Sequence, residues 1–408
     1  MEYGLIGARL GHSFSREIHR KIADYHYELR ELTPEGVDHL LRSRDFRAIN
    51  VTIPYKETVI PYLDEISESA KKIGAVNTIT RRDGRLIGDN TDYDGFSWLL
   101  DRNGGIRAGE KALVLGSGGA SKTAQTVLHE RGAEVVVISR SGADNYENLG
   151  RHADAALLVN TTPVGMFPNN GASPVDLRRL PGLRTVLDVV YNPLETALLL
   201  QARALGLRAE NGLSMLVGQG CAAAERFTGR PVDEQTRDRA LQALRRDSTD
   251  LILIGMPGSG KTTLGRALAA RLGRPFLDCD EEFARRFGRT PAEALRADGE
   301  DAFREQETSV LAELGKRSGV VLATGGGCVT RPENAPLLLQ NGFVVWVQRP
   351  LDALALEDRP LSAQGTDKLY ARREPLYRAL AQTTIVNDSA PETAVKRTEE
   401  AFYEHFNS

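Results

Sequence analysis

Apolar runs rich in β-branched residues recur between residues 106 and 212 and are separated by amphipathic stretches. Short runs of this kind, bounded by glycine and polar residues, are typical of strands buried on both faces of a parallel sheet. The runs are residues 112–115, 135–138, 157–159 and 186–190. Helical stretches lie between them, at residues 120–131 and 195–205, and each is followed by a glycine that can end a helix. The alternation predicts a doubly wound α/β domain over residues 106–212.

The chain on either side of this segment also has α/β character. Residues 1–105 are predicted to form a separate α/β lobe for substrate binding, completed by helices within residues 213–246. A helix over residues 215–227 returns to the lobe and leaves a cleft beside the doubly wound domain. The charged stretch 245–250 is interpreted as a linker. From residue 250 to 408 a strand, a glycine-rich loop and a helix begin an α/β/α domain with a parallel sheet. The predicted buried face of that helix consists of Leu264, Ala267, Leu268 and Leu272.

Composition and charge exclude several classes of protein. The 408 residues are 41% hydrophobic and 26% charged, which is typical of a globular chain. The net charge is −3, and neither the first 248 residues (32 basic, 32 acidic) nor the rest (20 basic, 23 acidic) are basic, so no nucleic-acid partner is expected. The three cysteines are scattered, which argues against zinc. Without a signal-peptide pattern or a membrane-length apolar run, the sequence predicts a cytoplasmic protein without membrane partners; it leaves the oligomeric state open.

A glycine-rich loop follows the first strand of the doubly wound domain. Gly116 permits a tight turn, and Gly118 lets the backbone approach a pyrophosphate. The next helix, which begins around Gly119 and Ala120, offers free N–H groups and the positive end of its dipole. Its sixth position is Ser121, where glycine or alanine is usual. The loop in this context predicts a dinucleotide site in a Rossmann domain.

The end of the next strand indicates which dinucleotide binds. Ser139, Arg140 and Ser141 stand where an NAD-binding domain carries an acidic residue for the ribose 2′-hydroxyl. A guanidinium and two hydroxyls suit a 2′-phosphate instead. NADP(H) is therefore the predicted cofactor, and a solvated Arg140 without a ligand is the alternative.

A second glycine-rich loop, residues 255–262, follows the strand at 251–254 and has the full spacing of a P-loop. Its backbone amides would cradle the β-phosphate, Lys261 would reach the β- and γ-phosphates, and Thr262 would bind magnesium. No Asn-Lys-x-Asp motif follows, which argues against a GTPase. The residues predicted to bind ATP in this loop are Gly258, Ser259, Gly260, Lys261, Thr262 and Thr263.

Residues 1–230 resemble shikimate dehydrogenase. The motifs that carry the resemblance occur in family order at residues 11–15, 50–57, 74–78, 88–92, 160–166 and 212–219. The resemblance implies that Lys56 and Asp92 form the catalytic pair. An ammonium beside a carboxylate suits this chemistry, because hydride addition to a ring ketone builds charge on oxygen and requires a proton donor. The residues implied to bind the substrate's carboxylate and hydroxyls are Ser13, Ser15, Thr52, Asn77, Asp92 and Gln219.

The first residues depart from the family's pattern. Ala8 and Arg16 replace prolines in the loop around the carboxylate pocket, so discrimination between shikimate and quinate stays open. His12 and His19 lie nearby, and a structural hydrogen-bonding role is expected for both rather than catalysis or metal binding.

Residues 250–405 resemble shikimate kinase through motifs at residues 276–280, 303–307, 325–327, 359–361 and 373–377. The resemblance implies that Asp280 accepts hydrogen bonds from the ring hydroxyls and activates the attacking one. Arg304 and Arg373 would clamp the carboxylate, for which a planar guanidinium is well suited. The backbone at Gly326 and Gly327 would approach the ring closely.

The same resemblance places two further groups around the triphosphate. Arg359 would close over the phosphates and neutralise charge during transfer. Asp278 would hold magnesium through water, next to Thr262. The lid at residues 349–359 is short and the loop 387–391 is not basic, and both departures concern adenine packing and therefore ATP affinity.

The two resemblances imply two enzymes that act on the same molecule, shikimate. The first half would reduce 3-dehydroshikimate to shikimate with NADPH, and the second would phosphorylate shikimate with ATP and Mg²⁺, toward chorismate and the aromatic amino acids. One alternative is an NAD-dependent quinate/shikimate dehydrogenase fused to another small-molecule kinase. Another, of a different class, is a catalytically inactive regulator that senses pathway metabolites.

Overall fold

The computed structural model describes residues 1–11, 13–354, 365–388 and 390–407. Two compact units emerge from its contacts. The first comprises residues 1–165, 172–191 and 198–244, and the second comprises residues 166–171, 192–197 and 245–408. The strands form one mixed six-stranded sheet and two parallel five-stranded sheets.

The chain begins with the mixed sheet, whose order is β2-β1-β3-β5-β6-β4. β1 is parallel to β2 and β3, whereas β5 is antiparallel to β3 and β6. Every residue of β1 and β3 is buried, as expected of central strands with apolar side chains on both faces. The elements of this lobe are β1 (Tyr3–Gly7), α1 (Ser15–Ile22), β2 (Tyr27–Glu31), α2 (Pro34–Ser43), β3 (Ala48–Val51), β4 (Glu65–Ile66), α3 (Glu68–Ile73), β5 (Thr78–Arg82), β6 (Arg85–Asp89) and α4 (Asp92–Arg102).

The second sheet is entirely parallel, with the order β11-β10-β9-β7-β8. It confirms the predicted doubly wound domain, because each of the four predicted apolar runs forms a strand of this sheet. The elements are β7 (Lys111–Leu115), α5 (Gly119–Glu130), β8 (Glu134–Ile138), β9 (Leu157–Asn160), β10 (Thr185–Asp188), α6 (Ala197–Ala204) and β11 (Arg208–Glu210).

Helix α7 (Leu213–Thr228) returns to the first lobe and packs against α1 and α4. The crossing with α4 is close because glycines meet there. A Cβ added to Gly218 would lie 3.1 Å from the Cα of Gly95, and one added to Gly95 would lie 2.9 Å from the backbone nitrogen of Gln219. Two apposed glycines thus let the helix backbones approach, and this brings Asp92 on α4 and Gln219 on α7 to the same region.

The third sheet is also parallel, with the order β13-β14-β12-β15-β16. Its central strand β12 is fully buried and leads into the second glycine-rich loop. In chain order, the elements after α7 are α8 (Glu234–Ser248), most of which belongs to the first unit, and then β12 (Asp250–Ile254), α9 (Lys261–Leu272), β13 (Phe276–Asp278), α10 (Cys279–Phe287), α11 (Pro291–Asp298), α12 (Glu300–Leu314), β14 (Val321–Ala323), α13 (Asn334–Leu339), β15 (Gly342–Gln348), α14 (Thr366–Leu380), β16 (Thr383–Val386) and α15 (Pro391–Asn407).

Two details of the sequence interpretation are wrong. The stretch 245–250 is not an extended linker, because α8 continues to Ser248 and β12 begins at Asp250. The guanidinium of Arg274 donates to the carbonyls of Arg246 and Thr249 at 2.6 Å each, which fixes the end of the helix. Ala267 is exposed, and Gly265 and Ala269 are buried in its place.

Among the described residues, no helix combines the length and the apolar character needed to cross a membrane.

Candidate active sites

A cavity of about 740 Å³ in the first unit collects the residues predicted to carry dehydrogenase chemistry. It lies where the carboxyl end of β3, the start of α4 and the first turns of α7 meet. Gly119 and Ala120 of the dinucleotide loop line the same cavity, so a nicotinamide bound there would reach a substrate. The predicted residues among its walls are Ser13, Ser15, Thr52, Lys56, Asn77, Asp92 and Gln219.

Lys56 and Asp92 form an ion pair in this cavity, with 2.6 Å between Nζ and Oδ2. Their side chains are 28% and 20% exposed, so the pair is shielded yet reachable. Each partner is held through its backbone: the Lys56 carbonyl accepts from the Val76 N–H at 2.8 Å, and the Asp92 N–H donates to Asn90 Oδ1 at 3.1 Å. The ammonium is therefore aimed into the cavity by a fixed carboxylate.

The polar groups opposite this pair are oriented by short hydrogen bonds. The Ser13 hydroxyl donates to Ser15 Oγ at 3.1 Å and accepts from the Ser15 N–H. Asn77 Oδ1 accepts from the Thr91 N–H at 2.7 Å, which leaves the amide nitrogen as its donor toward a ligand. Gln219 Nε2 donates to the Leu216 carbonyl at 2.9 Å. Hydroxyl and amide groups thus line the cavity, together with the charged side chains of Arg9 and Glu57.

Two aromatic residues that the sequence interpretation missed also line the cavity. Phe14 and Tyr191 meet edge to face with their ring centroids 5.8 Å apart, and burial raises the pKa of Tyr191. Tyr191 follows β10, at the carboxyl edge where α/β sheets bind ligands, and this position could have identified it. His19 lies outside the cavity walls; its Nδ1 is 2.6 Å from the Tyr25 hydroxyl, which confirms a structural role. His12 lies outside the described residues.

The dinucleotide loop has the geometry that a pyrophosphate requires. Gly116 adopts φ +101°, and Gly118 caps the N-terminus of α5. A Cβ added at Gly118 or Gly119 would find no described atom within 4 Å, so the loop is open to a ligand. The buried Ser121 hydroxyl donates to the Gly116 carbonyl at 2.7 Å, which explains how serine serves at the sixth position.

The residues predicted to select NADP follow β8. The Ser139 N–H donates to the Asp144 carbonyl at 3.2 Å, which turns the chain after the strand. Arg140 and Ser141 are both exposed in this turn. A guanidinium and hydroxyls at this edge fit a 2′-phosphate, and no acidic residue replaces them at the strand end.

In the second unit the P-loop wraps the start of α9. Lys261 is buried, and its ammonium donates to the carbonyls of Gly255 and Met256 at 2.9 and 3.0 Å. Thr262 Oγ1 donates to Asp278 Oδ2 at 2.8 Å, so a hydroxyl and a carboxylate lie side by side as oxygen ligands suited to magnesium. Asp278 Oδ1 accepts from the Asp280 N–H and caps α10. The buried Ser259 hydroxyl has no partner among the described groups.

A cavity of about 330 Å³ adjoins the P-loop. Gly258 and Gly260 have positive φ values of 77° and 94°, which create the tight turns of the loop. Gly260 and Thr263 line the cavity together with Asn387, whose amide donates to the Ser259 carbonyl at 2.8 Å. Arg359 lies outside the described residues.

The two arginines predicted to bind carboxylate approach the same glycine turn. Arg304 Nη1 donates to Glu307 Oε2 at 2.6 Å, and a Cβ on Gly327 would lie within 3.0 Å of the Arg304 guanidinium. Arg373 Nη1 donates to the Gly326 carbonyl at 3.2 Å. Burial lowers the pKa of Arg373, and the nearby charge of Arg304 lowers it further, although Tyr377 opposes them.

This arrangement is a buried site in which guanidinium and carboxylate groups lie together, since Arg304 pairs with Glu307 and lies 3.5 Å from Glu300. The Nε atoms of Arg304 and Arg373 have no partner among the described groups. Asp280 is close as well, because a Cβ on Gly325 would lie 3.3 Å from Asp280 Oδ1. The sequence interpretation missed Glu307 and Tyr377, which hold Arg304 and the Gly326 carbonyl. The spacing of Glu307, three residues after Arg304 on one helix, was the available signal.

Comparisons with known proteins match the parts of the chain that contain the two sites. The family model for the shikimate dehydrogenase substrate binding domain matches residues 5–79, the one for the shikimate 5'-dehydrogenase C-terminal domain matches residues 212–244, and the one for shikimate kinase matches residues 257–403. A shikimate dehydrogenase (NADP(+)) of Clostridium perfringens is 39% identical over 265 residues, which are 60% of this chain and 98% of the relative. One from Geobacillus kaustophilus is 37% identical over 273 residues, with 60% and 99% covered.

Solved structures are similar over the same part of the chain. Shikimate dehydrogenase 1 from Peptoclostridium difficile has a TM-score of 0.54 and 35% identity, covering 60% of this chain and 98% of that one. The Thermus thermophilus enzyme in complex with NADP(H) and shikimate has a TM-score of 0.54 and 34% identity, with 60% and 99% covered. A chorismate mutase/shikimate 5-dehydrogenase fusion protein from Clostridium acetobutylicum has a TM-score of 0.56 and 37% identity, with 59% and 96% covered.

These matches follow the division seen in the structure, with dehydrogenase matches over the first part of the chain and a kinase match over the last. The chain belongs to the shikimate dehydrogenase family and carries a C-terminal shikimate kinase domain, which makes it a bifunctional enzyme of the shikimate pathway that uses NADP, ATP and Mg²⁺.

Proposed function

We propose that the first unit reduces 3-dehydroshikimate to shikimate with NADPH and that the second phosphorylates the 3-hydroxyl of shikimate with ATP and Mg²⁺. The observation that carries the first assignment is the Lys56–Asp92 pair, 2.6 Å apart, in a cavity that the dinucleotide loop also lines. The Rossmann relatives support NADP, and the exposed Arg140 at the end of β8 fits its 2′-phosphate.

In the reduction, the bound cofactor supplies a hydride to the carbonyl carbon of the ring. The Lys56 ammonium gives its proton to the carbonyl oxygen as the C=O bond becomes a hydroxyl, and the resulting neutral amine regains a proton from solvent. Asp92 orients the ammonium and stabilises its charge before transfer. Ser13, Ser15 and Asn77 hold the carboxylate and hydroxyls so that the carbonyl faces Lys56.

In the phosphorylation, Asp280 accepts the proton of the 3-hydroxyl as the hydroxyl oxygen bonds to the γ-phosphorus of ATP. The bond from that phosphorus to the β,γ-bridging oxygen breaks, and ADP leaves. Arg304 and Arg373 hold the carboxylate of shikimate from the far side of the ring, as charge-assisted donors. Lys261 exchanges the carbonyls of Gly255 and Met256 for phosphate oxygens. The Thr262 hydroxyl and, through water, Asp278 would hold magnesium, and we assign Arg359, which lies outside the described residues, to the phosphates.

A coupled assay tests the whole proposal. The full chain is supplied with 3-dehydroshikimate, NADPH, ATP and Mg²⁺, and shikimate 3-phosphate is the expected product. Lys56→Ala should abolish NADPH oxidation and leave phosphorylation of added shikimate intact, whereas Asp280→Asn should do the reverse. A higher kcat/KM with NAD and quinate would refute the first assignment. Absence of turnover in both halves would identify a metabolite-binding regulator instead.

A further inference from the structure

Arg226, in the last turn of α7, binds two carboxylates that flank the catalytic Asp92. Its Nε donates to Asp89 Oδ2 at 2.8 Å, and its Nη2 donates to Asp94 Oδ2 at 3.0 Å. The three side chains are 30%, 18% and 35% exposed, so these ion pairs are shielded from solvent. One guanidinium thereby joins the residue before the catalytic loop to the first turn of α4.

The ion pairs of Arg226 with Asp89 and Asp94 form a clamp. The position of Arg226 on α7 connects this clamp to the substrate cavity. Met215, Gln219, Ala222 and Arg226 follow each other at intervals of four, three and four residues and so share one face of the helix. Met215 and Gln219 line the cavity at the beginning of that face. Arg226 lies at the other end of the same face, where it binds Asp89 and Asp94.

A chain of hydrogen bonds leads from the clamp to the reacting pair. Asp89 Oδ1 accepts from the Ser67 hydroxyl at 2.6 Å and from the Asn90 N–H at 2.7 Å. Asn90 Oδ1 in turn accepts from the Asp92 N–H at 3.1 Å, and Asn90 Nδ2 donates to the Ala75 carbonyl at 2.8 Å. The backbone that presents Asp92 to Lys56 is thus fixed from the Asp89 side.

Electrostatics gives the clamp a second effect. Three carboxylates, at positions 89, 92 and 94, lie within six residues of sequence. Burial raises the pKa of Asp94 above its usual value although Arg226 acts to lower it. Burial also raises the pKa of Asp89, but the hydrogen bonds from Ser67 and Arg226 outweigh it and leave that pKa below its usual value. Without Arg226, two partly buried carboxylates would repel each other across the loop of Asp92.

We propose that Arg226 is a positioning residue for the reduction: by binding Asp89 and Asp94 it holds Asp92, and through Asp92 the Lys56 ammonium, at the angle needed for proton donation. The inference rests on the proposed role of the Lys56–Asp92 pair. It assigns to Arg226 an effect on the chemical step rather than on substrate binding.

The test compares Arg226→Gln with Arg237→Gln in the full chain. Arg237, on α8, forms an ion pair of similar burial with Glu225 of α7 at 2.9 Å. Glu225 also lies 3.9 Å from Arg226, but Arg237 itself has no contact with the Asp92 loop among the described residues. Arg226→Gln should lower kcat of the reduction roughly 10- to 100-fold, the scale of a small misplacement at a reacting centre. KM for 3-dehydroshikimate and Kd for NADPH should stay near wild type, and Arg237→Gln should leave kcat unchanged. Arg226→Lys, which keeps the charge, should recover part of the loss.

The outcomes separate this inference from the function on which it rests. If Asp92→Asn and Lys56→Ala retain turnover, the proposed catalytic pair fails. If those variants lose turnover while Arg226→Gln keeps a normal kcat, or raises only KM, the positioning role alone is refuted. An equal loss of kcat in Arg237→Gln also refutes it. If Arg226→Gln does not bind NADPH and so is misfolded, Asp94→Asn removes half of the clamp, and an unchanged kcat in that variant overturns the proposal.

Discussion

A single methyl group at Gly327 should separate carboxylate binding from phosphoryl transfer in the kinase site. Gly327 adopts φ −109°, which alanine also allows, so Gly327→Ala does not strain the backbone. The added Cβ would, however, lie closer than 3.0 Å to Cζ and to both Nη atoms of Arg304. The Arg304 side chain is only 7% exposed and is bound to Glu307, so the guanidinium has to leave the position in which it would bind the carboxylate to make room for the methyl group.

The size of the effect follows from the bond that is lost. A hydrogen bond to a charged group contributes about 1.5–3 kcal/mol, which corresponds to roughly 10- to 150-fold in an equilibrium constant. The carboxylate contact is made in the ground state and in the transition state alike. Its loss should therefore appear in KM for shikimate, with a much smaller change in kcat.

The assay uses the second activity of the same chain as its internal control. Initial rates of phosphorylation are measured against shikimate, and NADPH oxidation is measured on the same preparation and should be unchanged. Gly150→Ala, whose Cβ would find no described atom within 4 Å, controls for the general effect of replacing glycine. A Gly327→Ala enzyme with normal KM for shikimate would refute the assignment of Arg304 to the carboxylate.

Two further predictions concern the first unit. Arg140→Ala should raise KM for NADPH at least tenfold and leave KM for NADH nearly unchanged, because a charge-assisted bond to the 2′-phosphate is lost. Equal effects on both cofactors would refute the assignment of Arg140 to the 2′-phosphate. Burial lowers the pKa of His19 from 6.5 to about 3, so between these values the unfolded chain binds a proton that the folded chain does not, and stability falls as pH drops below 6.5. Urea unfolding of the first unit should show a loss of about 2 kcal/mol between pH 7 and pH 5, and His19→Phe should remove that dependence; an unchanged slope in the variant would mean that other groups cause it.

The sequence was sufficient for most strands because burial on both faces leaves a strong signature. β7, β9 and β10 are continuous apolar runs, and their positions agree with the prediction to within two residues. The buried face of α9 was harder, because the helix lies against Phe276 through a glycine. A Cβ on Gly265 would lie 2.5 Å from the ring of Phe276, so the contact exists only where the side chain is missing. A hydropathy pattern places Ala267 on the buried face instead, because it contains no information about a contact that depends on the absence of a side chain.

The site residues also include some that the sequence identified and some that it did not. Lys56, Asp92, Arg304 and Arg373 stand within motifs, and the resemblance was enough to select them for sites that the structure then assembles. Glu307 was not selected, because it acts through a charged neighbour rather than on a ligand. Tyr377 was missed for the same reason: its hydroxyl donates to a backbone carbonyl from another element. The contact of Tyr377 with Gly326 depends on tertiary packing, which spacing along the chain does not encode, whereas the three-residue spacing of Arg304 and Glu307 on one helix was a usable signal.

The proposed substrate places the same small carboxylate in two chemically different pockets, and the charge of the co-substrate accounts for the difference. The reductase pocket offers it hydroxyls and amides from Ser13, Ser15 and Asn77. The cationic side chains of its walls are Lys56, which is kept for proton transfer, and the exposed Arg9. The kinase site must hold its carboxylate near a triphosphate, so repulsion between anions has to be offset, and the buried Arg304 and Arg373 supply guanidinium groups there, the first of them already paired with Glu307. The two pockets are therefore expected to differ in the groups that hold the carboxylate: hydroxyls and amides in one, guanidinium groups in the other.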